Sequence, residues 1–491
     1  MSQNISKLLA AILLLMLNQF AIAQQFAISY SNTAFKGPFT GKVLIYLSKD
    51  TKEPKDNDFM IRISPYFSMD VKNIQPGQKI ILDDKATSYP VKLTETERGE
   101  YFVQAVWDRN LGGRAIGSSA GNMYSVSQKV NLTSDLKHIF PLLCDKIIEE
   151  QSFKNTEYIK EIKLHSALLS AQQGKDVNIT AALLLPKNYS SDADKKFPLF
   201  ISVSGFGGDY HRYSGQPLFG KEIDSVQYVT IFLDGNCPLG HSVYANSDNN
   251  GPWGDALVKE LIPEIEKQYR CNGFRVVNGH SSGGWSVLWL QTHYPETFNA
   301  CWSSSPDPVD FRDFQKVNLY EDENIYYDKN GEQQPVATIA GFVPICYMKD
   351  YYQMEAAQYR GGQMRSFDAV FGEKTATGEP TRICNVKTGV IDKKVFEHWK
   401  QYDISLYLRN NWLKLEPTLG NKILITMGEQ DNFLLNYAVK RMDGEMKKIN
   451  ASIEFAYFPG DHFTVSSSEY RKKGNSFIAQ RYKEWKKNNS K

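Results

Sequence analysis

The sequence lacks three features that would each place it in a special class of protein. Its 57 Lys and Arg residues nearly balance its 55 Asp and Glu residues, and the formal net charge is only +2, so a dedicated nucleic-acid binder is not expected. Beyond the N-terminus, no apolar run approaches the roughly 18 residues of a transmembrane helix, so no membrane span is expected. Repeats and low-complexity segments are also missing. With 491 residues, 42% of them hydrophobic, the chain suggests two or three globular domains.

Cysteine is scarce as well. The six cysteines form no C-x-x-C pair, which argues against a zinc ribbon or a thioredoxin-type site. An even number in an exported chain permits disulfides, but the pairing cannot be read from sequence. For each of them a free, buried thiol and a disulfide therefore stay open: Cys144, Cys237, Cys271, Cys301, Cys346 and Cys384.

The first 23 residues have the pattern of a signal peptide. Lys7 precedes the apolar stretch LLAAILLLML, and the small-x-small sequence AIA ends at Ala23. The apolar stretch is too short to span a bilayer, and no cysteine follows the cleavage site to carry a lipid. The pattern predicts an exported protein, periplasmic or secreted.

The next region, 24–134, has the pattern of short strands. The stretches GKVLIYLS, DFMIRISP, QKIILDD and GEYFVQAVWD alternate or are rich in β-branched and aromatic residues, and turn sequences such as QPGQ separate them. This spacing predicts a small antiparallel β-sandwich-like domain. The mixed stretch that follows, 135–157, is predicted to be a linker.

From 158 to 491 buried strands alternate with helices. FPLFISVSG, VQYVTIFLDG and FRVVNGHS are typical of strands, whereas GDALVKELIPEIEKQYR and GGWSVLWLQTHYP are typical of helices. This alternation predicts an α/β domain with a mostly parallel sheet covered on both faces. Because the alternation breaks at about Asp307 and resumes at KILITMGEQD, residues 307–416 are predicted to form a cap insertion.

Between one predicted strand and the helix after it lies Gly279-His280-Ser281-Ser282-Gly283. It matches G-x-S-x-G, the nucleophile elbow, whose tight turn needs small residues two positions away on each side. Gly279 and Gly283 meet this need around Ser281, whereas Ser282 has His280 at the corresponding place. Ser281 is therefore the predicted nucleophile, and the backbone N–H of Ser282, at a helix N-terminus, is a predicted oxyanion donor. An ordinary glycine-rich loop is the alternative.

A serine nucleophile needs a base, and in α/β hydrolases the order along the chain is Ser, acid, His. His462 follows the last predicted strand, in YFPGDHFTV. The acid should follow the preceding strand, where ILITMGEQDNF offers Glu429 and Asp431. Asp431 is the predicted acid because it lies just past the strand end, and a helix N-cap is its alternative role.

The second oxyanion donor is expected in SGFGGDYH, the loop after FPLFISVS. Gly205, Gly207 and Gly208 allow the backbone to approach a ligand there. The predicted donor is the N–H of Phe206, with Gly207 as the second choice. A plain tight turn is the competing interpretation.

In this order, SGFGG, GHSSGGW, MGEQDNFLLN and PGDHF resemble the esterase D-like (putative esterase) family of α/β hydrolases. That family includes feruloyl and acetylxylan esterases, S-formylglutathione hydrolase, enterobactin esterases and mycolyl transferases. The resemblance covers about 159–487 and implies an α/β-hydrolase fold in which Ser281, His462 and Asp431 are nucleophile, base and acid. It implies no metal and no organic cofactor. One departure is Ser204, where many members carry a histidine before the glycine.

Two further stretches resemble large exported members of the family. DGNCPLGHSVYANSDNNGPWGD follows a strand that ends at Asp234, so its loop is expected near the site. The candidate substrate contacts in it are His241, Tyr244, Asn246 and Trp253. In the insertion, the residues that could line the pocket are Trp399, Tyr402 and Asp403. A structural loop and packing within the cap are the alternatives.

These patterns together predict an exported serine carboxylic-ester hydrolase acting on an acyl or aromatic ester of a carbohydrate or small molecule. Within enzymes, the alternative is acyl transfer, in which a sugar hydroxyl replaces water. From another class, the alternative is a binding protein that has kept an esterase scaffold, although a binder has no need of Ser, His and acid together. The natural ester and the oligomeric state cannot be predicted.

Overall fold

The computed structural model describes residues 24–56, 64–133 and 138–489. The predicted signal peptide, 1–23, and most of the strand predicted at DFMIRISP lie outside these described residues. The chain divides into two compact units. The first contains the described residues up to Leu111 together with Ile116–Glu149, and the second contains Gly112–Ala115 and the residues from Glu150 onward.

In the part of the first unit that the structure describes, nine strands form one sheet: β1 (Gln25–Tyr30), β2 (Phe39–Ser48), β3 (Tyr66–Ile74), β4 (Ile80–Leu82), β5 (Thr87–Tyr89), β6 (Gly99–Asp108), β7 (Met123–Ser125), β8 (Gln128–Leu132) and β9 (Ile139–Ile147). The order is β4-β1-β9-β7-β6-β2-β3-β5, and β8 also pairs with β6. The pairing is antiparallel except between β1 and β9.

Aromatic side chains pack together with aliphatic ones in the core of this sheet. The indole of Trp107 on β6 is fully buried, and the rings of Tyr30 and Phe39 meet it edge to face at centroid distances of 4.8 and 5.1 Å. Edge-to-face packing is a favoured geometry for buried aromatic pairs. The structure thus confirms the predicted β-rich domain with its antiparallel pairing.

The predicted linker, 135–157, differs from the prediction because it contains β9. Phe140, Leu142 and Cys144 are buried while the residues between them are exposed, a two-residue period that one strand face explains. Pro141 weakens the strand pattern in the sequence, because proline cannot donate a hydrogen bond to a neighbouring strand.

Among the described residues of the second unit, eight strands form the main sheet: β10 (Ile159–His165), β11 (Asn178–Leu184), β12 (Phe197–Val203), β13 (Val229–Leu233), β14 (Cys271–His280), β15 (Ala300–Ser304), β16 (Ile423–Gly428) and β17 (Glu454–Phe458). The order is β10-β11-β13-β12-β14-β15-β16-β17. β11 is antiparallel to both of its neighbours, and the other pairs are parallel. This is the predicted α/β-hydrolase fold.

The helices of the second unit are α1 (Ala167–Gln173), α2 (Trp253–Ala256), α3 (Ile262–Gln268), α4 (Ser282–His293), α5 (Met348–Gln358), α6 (Gln363–Phe371), α7 (Lys393–Trp399), α8 (Ile404–Leu419), α9 (Leu435–Lys448) and α10 (Ser468–Asn489). A π-helical turn, Leu257–Leu261, joins α2 to α3. The predicted cap, 307–416, contains α5, α6, α7, most of α8 and a hairpin of Pro335–Ile339 with Val343–Tyr347.

The parallel strands all end at one edge of the sheet. In open α/β sheets, ligands bind at the carboxyl ends of the strands. The loops that leave β12, β14, β15, β16 and β17 therefore converge on the region where a site is expected.

The structure also bears on the cysteines and on the expectation that the chain has no membrane span. All six cysteines lie among the described residues, and each is a free thiol there. Within 24–56, 64–133 and 138–489, no helix combines the length and the apolar character that a membrane crossing requires.

Candidate active site

Ser281 forms the turn between β14 and α4. Its backbone angles are φ 59° and ψ −126°, a combination that residues other than glycine rarely adopt and that costs on the order of 1–3 kcal/mol. The surrounding structure must hold such a residue in place. This strained strand-to-helix turn is the geometry of a nucleophile elbow, which presents the serine hydroxyl at the edge of the sheet.

The two glycines that flank the turn are packed against backbone. A Cβ atom at Gly279 would lie 2.2 Å from the carbonyl oxygen of Gly283, and a Cβ atom at Gly283 would lie 2.2 Å from the carbonyl oxygen of Val203. Backbone atoms cannot move aside as a flexible side chain can. Small residues at both positions are therefore a steric requirement of the turn, as the sequence pattern indicates.

Replacing Gly283 with alanine should destabilise the protein although the position is helical. Alanine in a helix normally stabilises by about 1 kcal/mol relative to glycine, but overpacking against backbone costs about 3 kcal/mol. Gly444 on α9 is the matched control, because a Cβ atom there meets nothing within 4 Å. Urea unfolding should show a lower free energy of unfolding for Gly283→Ala and a slightly higher one for Gly444→Ala. A gain for both variants would contradict the close packing of the turn.

His462 and Asp431 form a buried hydrogen-bonded pair. Nδ1 of His462 lies 2.7 Å from Oδ2 of Asp431, and the two residues are 4% and 0% exposed. The other carboxylate oxygen, Oδ1, accepts a hydrogen bond from the backbone N–H of Phe433 at 2.9 Å. Asp431 therefore holds the imidazole and also accepts from a backbone N–H that lies before α9. The N-cap position of α9 is Leu434, so the alternative role of Asp431 as the N-cap is not observed.

His280 lies directly beside this pair. Its ring centroid is 4.5 Å from that of His462, and its Nδ1 lies 2.7 Å from the hydroxyl of Ser304. Burial, followed by the proximity of His462, lowers the pKa of His280 to about 4. His280 is therefore neutral at neutral pH and adds no positive charge beside Ser281.

The loop after β12 reaches the nucleophile. A Cβ atom at Gly205, the residue before Phe206, would lie 3.1 Å from the Cβ of Ser281 and 3.8 Å from its hydroxyl oxygen. On the other side, Ser282 is the first residue of α4, and the first N–H groups of a helix have no acceptor within the helix. Ser204, which stands where many relatives carry histidine, donates from its hydroxyl to the carbonyl of Asp234 at 2.9 Å.

An arginine from within the predicted β-rich region, 24–134, lies against this loop. The Arg114 guanidinium stacks 4.4 Å from the ring centroid of Phe206, and its Nη1 donates to the carbonyl of Gly361 at 2.9 Å. Arg114 belongs to Gly112–Ala115, which packs as part of the second unit. Nothing in the local sequence marks this contact, because the residues that Arg114 touches lie far along the chain.

Four of the candidate substrate contacts, His241, Tyr244, Trp253 and Trp399, are buried among other side chains. His241 is 0% exposed, with its Nδ1 accepting from the N–H of Val243 at 2.9 Å. Tyr244 and Trp253 meet edge to face at a centroid distance of 5.6 Å. Trp399 is 0% exposed and packs against Phe371, 5.1 Å between ring centroids. Their contact with a substrate stays a prediction.

The other candidates make structural hydrogen bonds. Asn246 accepts from the N–H of Asp255 through Oδ1 at 3.0 Å, and its carbonyl accepts from the Tyr402 hydroxyl, also at 3.0 Å. Asp403 caps α8 by accepting from the N–H of Leu406. Asn246, Tyr402 and Asp403 thus all take part in local packing.

One acidic side chain of the site, Asp307, is marked in the sequence only as the start of the predicted insertion. Its carboxylate lies at the nucleophile turn, 2.6 Å from the hydroxyl of Ser282 and 3.5 Å from that of Ser281. Among the described residues, those of this site included, no group of three or more His, Cys, Asp or Glu side chains is arranged to hold a metal ion. This edge of the sheet thus holds a serine on a strained turn and a buried imidazole bonded to a carboxylate, two groups that acyl transfer through a serine requires.

Solved structures with a similar fold include three esterases or serine hydrolases. A ferulic acid esterase shares 13% identity over 67% of this chain and 100% of its own, with a TM-score of 0.39. FphF, a fluorophosphonate-binding serine hydrolase of Staphylococcus aureus, shares 14% sequence identity over 66% of this chain and 97% of its own, with a TM-score of 0.38. An S-formylglutathione hydrolase from Agrobacterium tumefaciens shares 13% sequence identity over 67% of this chain and 96% of its own, with a TM-score of 0.38. Comparison with curated proteins gave no match.

One protein family matches the chain itself. Its description is "Putative esterase", and the match covers residues 173–473, a range that contains the turn at Ser281, the loop of Phe206 and the pair of Asp431 and His462. Because the match spans well over half of the sequence, the protein belongs to the putative esterase family and is a serine esterase with the α/β-hydrolase fold.

Proposed function

We propose that this esterase uses Ser281 as nucleophile, His462 as base and Asp431 as orienting acid. The hydroxyl oxygen of Ser281 attacks the ester carbonyl while His462 takes its proton. The backbone N–H groups of Ser282 and Phe206 stabilise the negative charge that develops on the carbonyl oxygen. His462 then gives the proton to the leaving alcohol, which departs and leaves an acyl-enzyme, and water activated by His462 releases the acid.

The observation that carries this proposal is the buried 2.7 Å contact between Nδ1 of His462 and Oδ2 of Asp431. An imidazole held through Nδ1 by a carboxylate keeps its other nitrogen available to accept a proton. The strained turn of Ser281 lies at the same edge of the sheet, and its hydroxyl is the nucleophile that the imidazole would deprotonate. A binding protein would have no reason to maintain both the strain and the buried pair.

The mature protein should be labelled by a fluorophosphonate at Ser281 and at no other serine. Peptide mapping by mass spectrometry locates the adduct, and preincubation with p-nitrophenyl acetate should slow labelling because the acetyl-enzyme occupies the same oxygen. Labelling at a different serine would refute the assignment of the nucleophile.

For the substrate, we propose an acyl or aromatic ester of a carbohydrate or small molecule. The support is the ferulic acid esterase and S-formylglutathione hydrolase among the similar folds, together with the predicted export. A panel of acetylated sugars, feruloylated sugars and simple alkyl esters, compared by kcat/KM, tests the class. Product analysis in the presence of a sugar acceptor distinguishes hydrolysis from acyl transfer.

We also propose that the protein is exported, as a periplasmic or secreted enzyme, after removal of residues 1–23. The support is the signal-peptide pattern of charge, short apolar stretch and small-x-small site. N-terminal sequencing of the protein recovered from the periplasm or medium should start at Gln24. Recovery of the uncleaved chain from the cytoplasm would overturn the proposal.

A further inference from the structure

Asp307 contacts the nucleophile turn at both Ser281 and Ser282. Its Oδ2 accepts a hydrogen bond from the hydroxyl of Ser282 at 2.6 Å, and Oδ1 lies 3.5 Å from the hydroxyl of Ser281. Its backbone N–H donates to the carbonyl of Ser281 at 3.2 Å. One residue thus contacts three groups of the strained turn. Asp307 is not a member of the proposed triad, so these contacts have no role assigned above.

The carboxylate is buried at the centre of the site. Asp307 is 6% exposed, and burial raises its pKa to about 6, opposed first by the Ser282 hydroxyl and then by the nearby His462. The titratable side chains that face it are His462 and Asp431. From the cap, α6 presents only the uncharged amide of Gln363, with Nε2 3.5 Å from Oδ2.

Two contacts of Asp307 bear on the peptide group between Ser281 and Ser282. Its backbone N–H holds the Ser281 carbonyl, which is part of that group, and its carboxylate holds the Ser282 hydroxyl. The N–H of the same peptide group is the proposed oxyanion donor. A donor of this kind works only where it already points at the developing charge. Fixing both neighbours of that N–H sets its direction before substrate arrives.

We propose that Asp307 is a positioning residue, which holds the Ser281–Ser282 peptide in the orientation for oxyanion binding and places a carboxylate beside His462. This inference rests on the proposed function of Ser281 and His462. It assigns to Asp307 two separable effects. One is geometric and acts through the hydroxyl of Ser282, and the other is electrostatic and acts on the protonation of the base.

Two substitutions separate these effects. Asp307→Ala removes the acceptor, and a misplaced donor should lower kcat on the order of 10²-fold with little change in KM. Asp307→Asn keeps an oxygen for the Ser282 hydroxyl and should recover most of that kcat. Because the amide carries no charge, the acid limb of the kcat/KM profile should nevertheless move to lower pH, since a nearby carboxylate favours the protonated imidazole.

Ser282→Ala tests the same contact from the other side. If Asp307 acts through this hydroxyl, Ser282→Ala should lower kcat as Asp307→Ala does, and the double variant should lose no more than either single one. Ser282→Ala also keeps the proposal testable if Asp307→Ala fails to fold. The matched control is Asp443→Asn, because Asp443 is a buried aspartate on α9 bonded to Lys447 and Tyr457. It should leave kcat and the pH profile unchanged.

Wild-type kcat in both Asp307→Ala and Ser282→Ala, or an Asp307→Asn profile that coincides with the wild-type one, would overturn the proposal. These outcomes differ from a failure of the proposed function. If Ser281→Ala retains full turnover, the nucleophile assignment fails. If turnover depends on Ser281 while the Asp307 variants behave like wild type, only the positioning role fails.

Discussion

Replacing Ser281 with alanine should lower kcat on the order of 10⁶-fold, to the level at which a triad enzyme works without its nucleophile. The loss is this large because no other described group near the turn offers an oxygen on a strained elbow. The carboxylate of Asp307 is close, but it is already bonded to the hydroxyl of Ser282 in the turn. Hydrolysis of p-nitrophenyl acetate by the purified mature protein, corrected for the spontaneous rate, measures the effect.

The fold should survive this change. The carbonyl of Ser281 accepts from the N–H groups of Trp285 and Asp307, and its N–H donates to the carbonyl of Ser304. Alanine keeps all three backbone contacts. The matched control is Ser191→Ala, at an exposed serine, which should keep full activity. If Ser281→Ala retains turnover and thermal unfolding is unchanged, another residue is the nucleophile.

The proposed catalytic residues could be named from the sequence because their signals are local and ordered. The elbow needs glycine at two fixed offsets, and the backbone contacts of Gly279 and Gly283 show the steric cause. His462 and Asp431 could be assigned because strands end where the polar residues begin, and the chain order of the fold limits the choice. The 2.7 Å contact between them joins two loops that the sequence already marks.

What could not be predicted depends on pairing between distant segments. The order of the main sheet puts β13 between β11 and β12, and no pattern in a buried strand states its neighbours. Asp307 follows the turn by 26 positions in the sequence, and its role appears only when β15 lies beside β14. Arg114 reaches Phe206 across a much larger separation, so composition assigned it to the wrong unit.

Burial also decided details that the sequence left open. Strand β9 lies in a stretch whose proline and lysines resemble a linker, yet Phe140, Leu142 and Cys144 supply one buried face. Trp399 could have lined a pocket or packed the cap, and its rings are enclosed by the aromatic side chains of the insertion. In both cases the outcome depends on what the rest of the chain places opposite the side chain.

Asp431→Asn should lower kcat about 10⁴-fold while the protein stays folded. Oδ1 of Asp431 accepts from the N–H of Phe433, so the amide oxygen of asparagine is expected to keep that contact and to turn its NH₂ toward Nδ1 of His462. An NH₂ donor there forces Nδ1 to be the acceptor and puts the imidazole proton on Nε2, which can then no longer take the proton of Ser281.

The comparison that makes this prediction decisive is Glu429→Gln. Glu429 is the other acid of the same loop, but its side chain is exposed, so removing its charge should leave kcat nearly unchanged. Both variants are measured with p-nitrophenyl acetate, and circular dichroism with thermal unfolding checks the fold. Full activity in Asp431→Asn together with a loss in Glu429→Gln would transfer the orienting role to Glu429. A loss in Asp431→Asn alone supports the buried pair as the source of the tautomer that accepts the proton of Ser281.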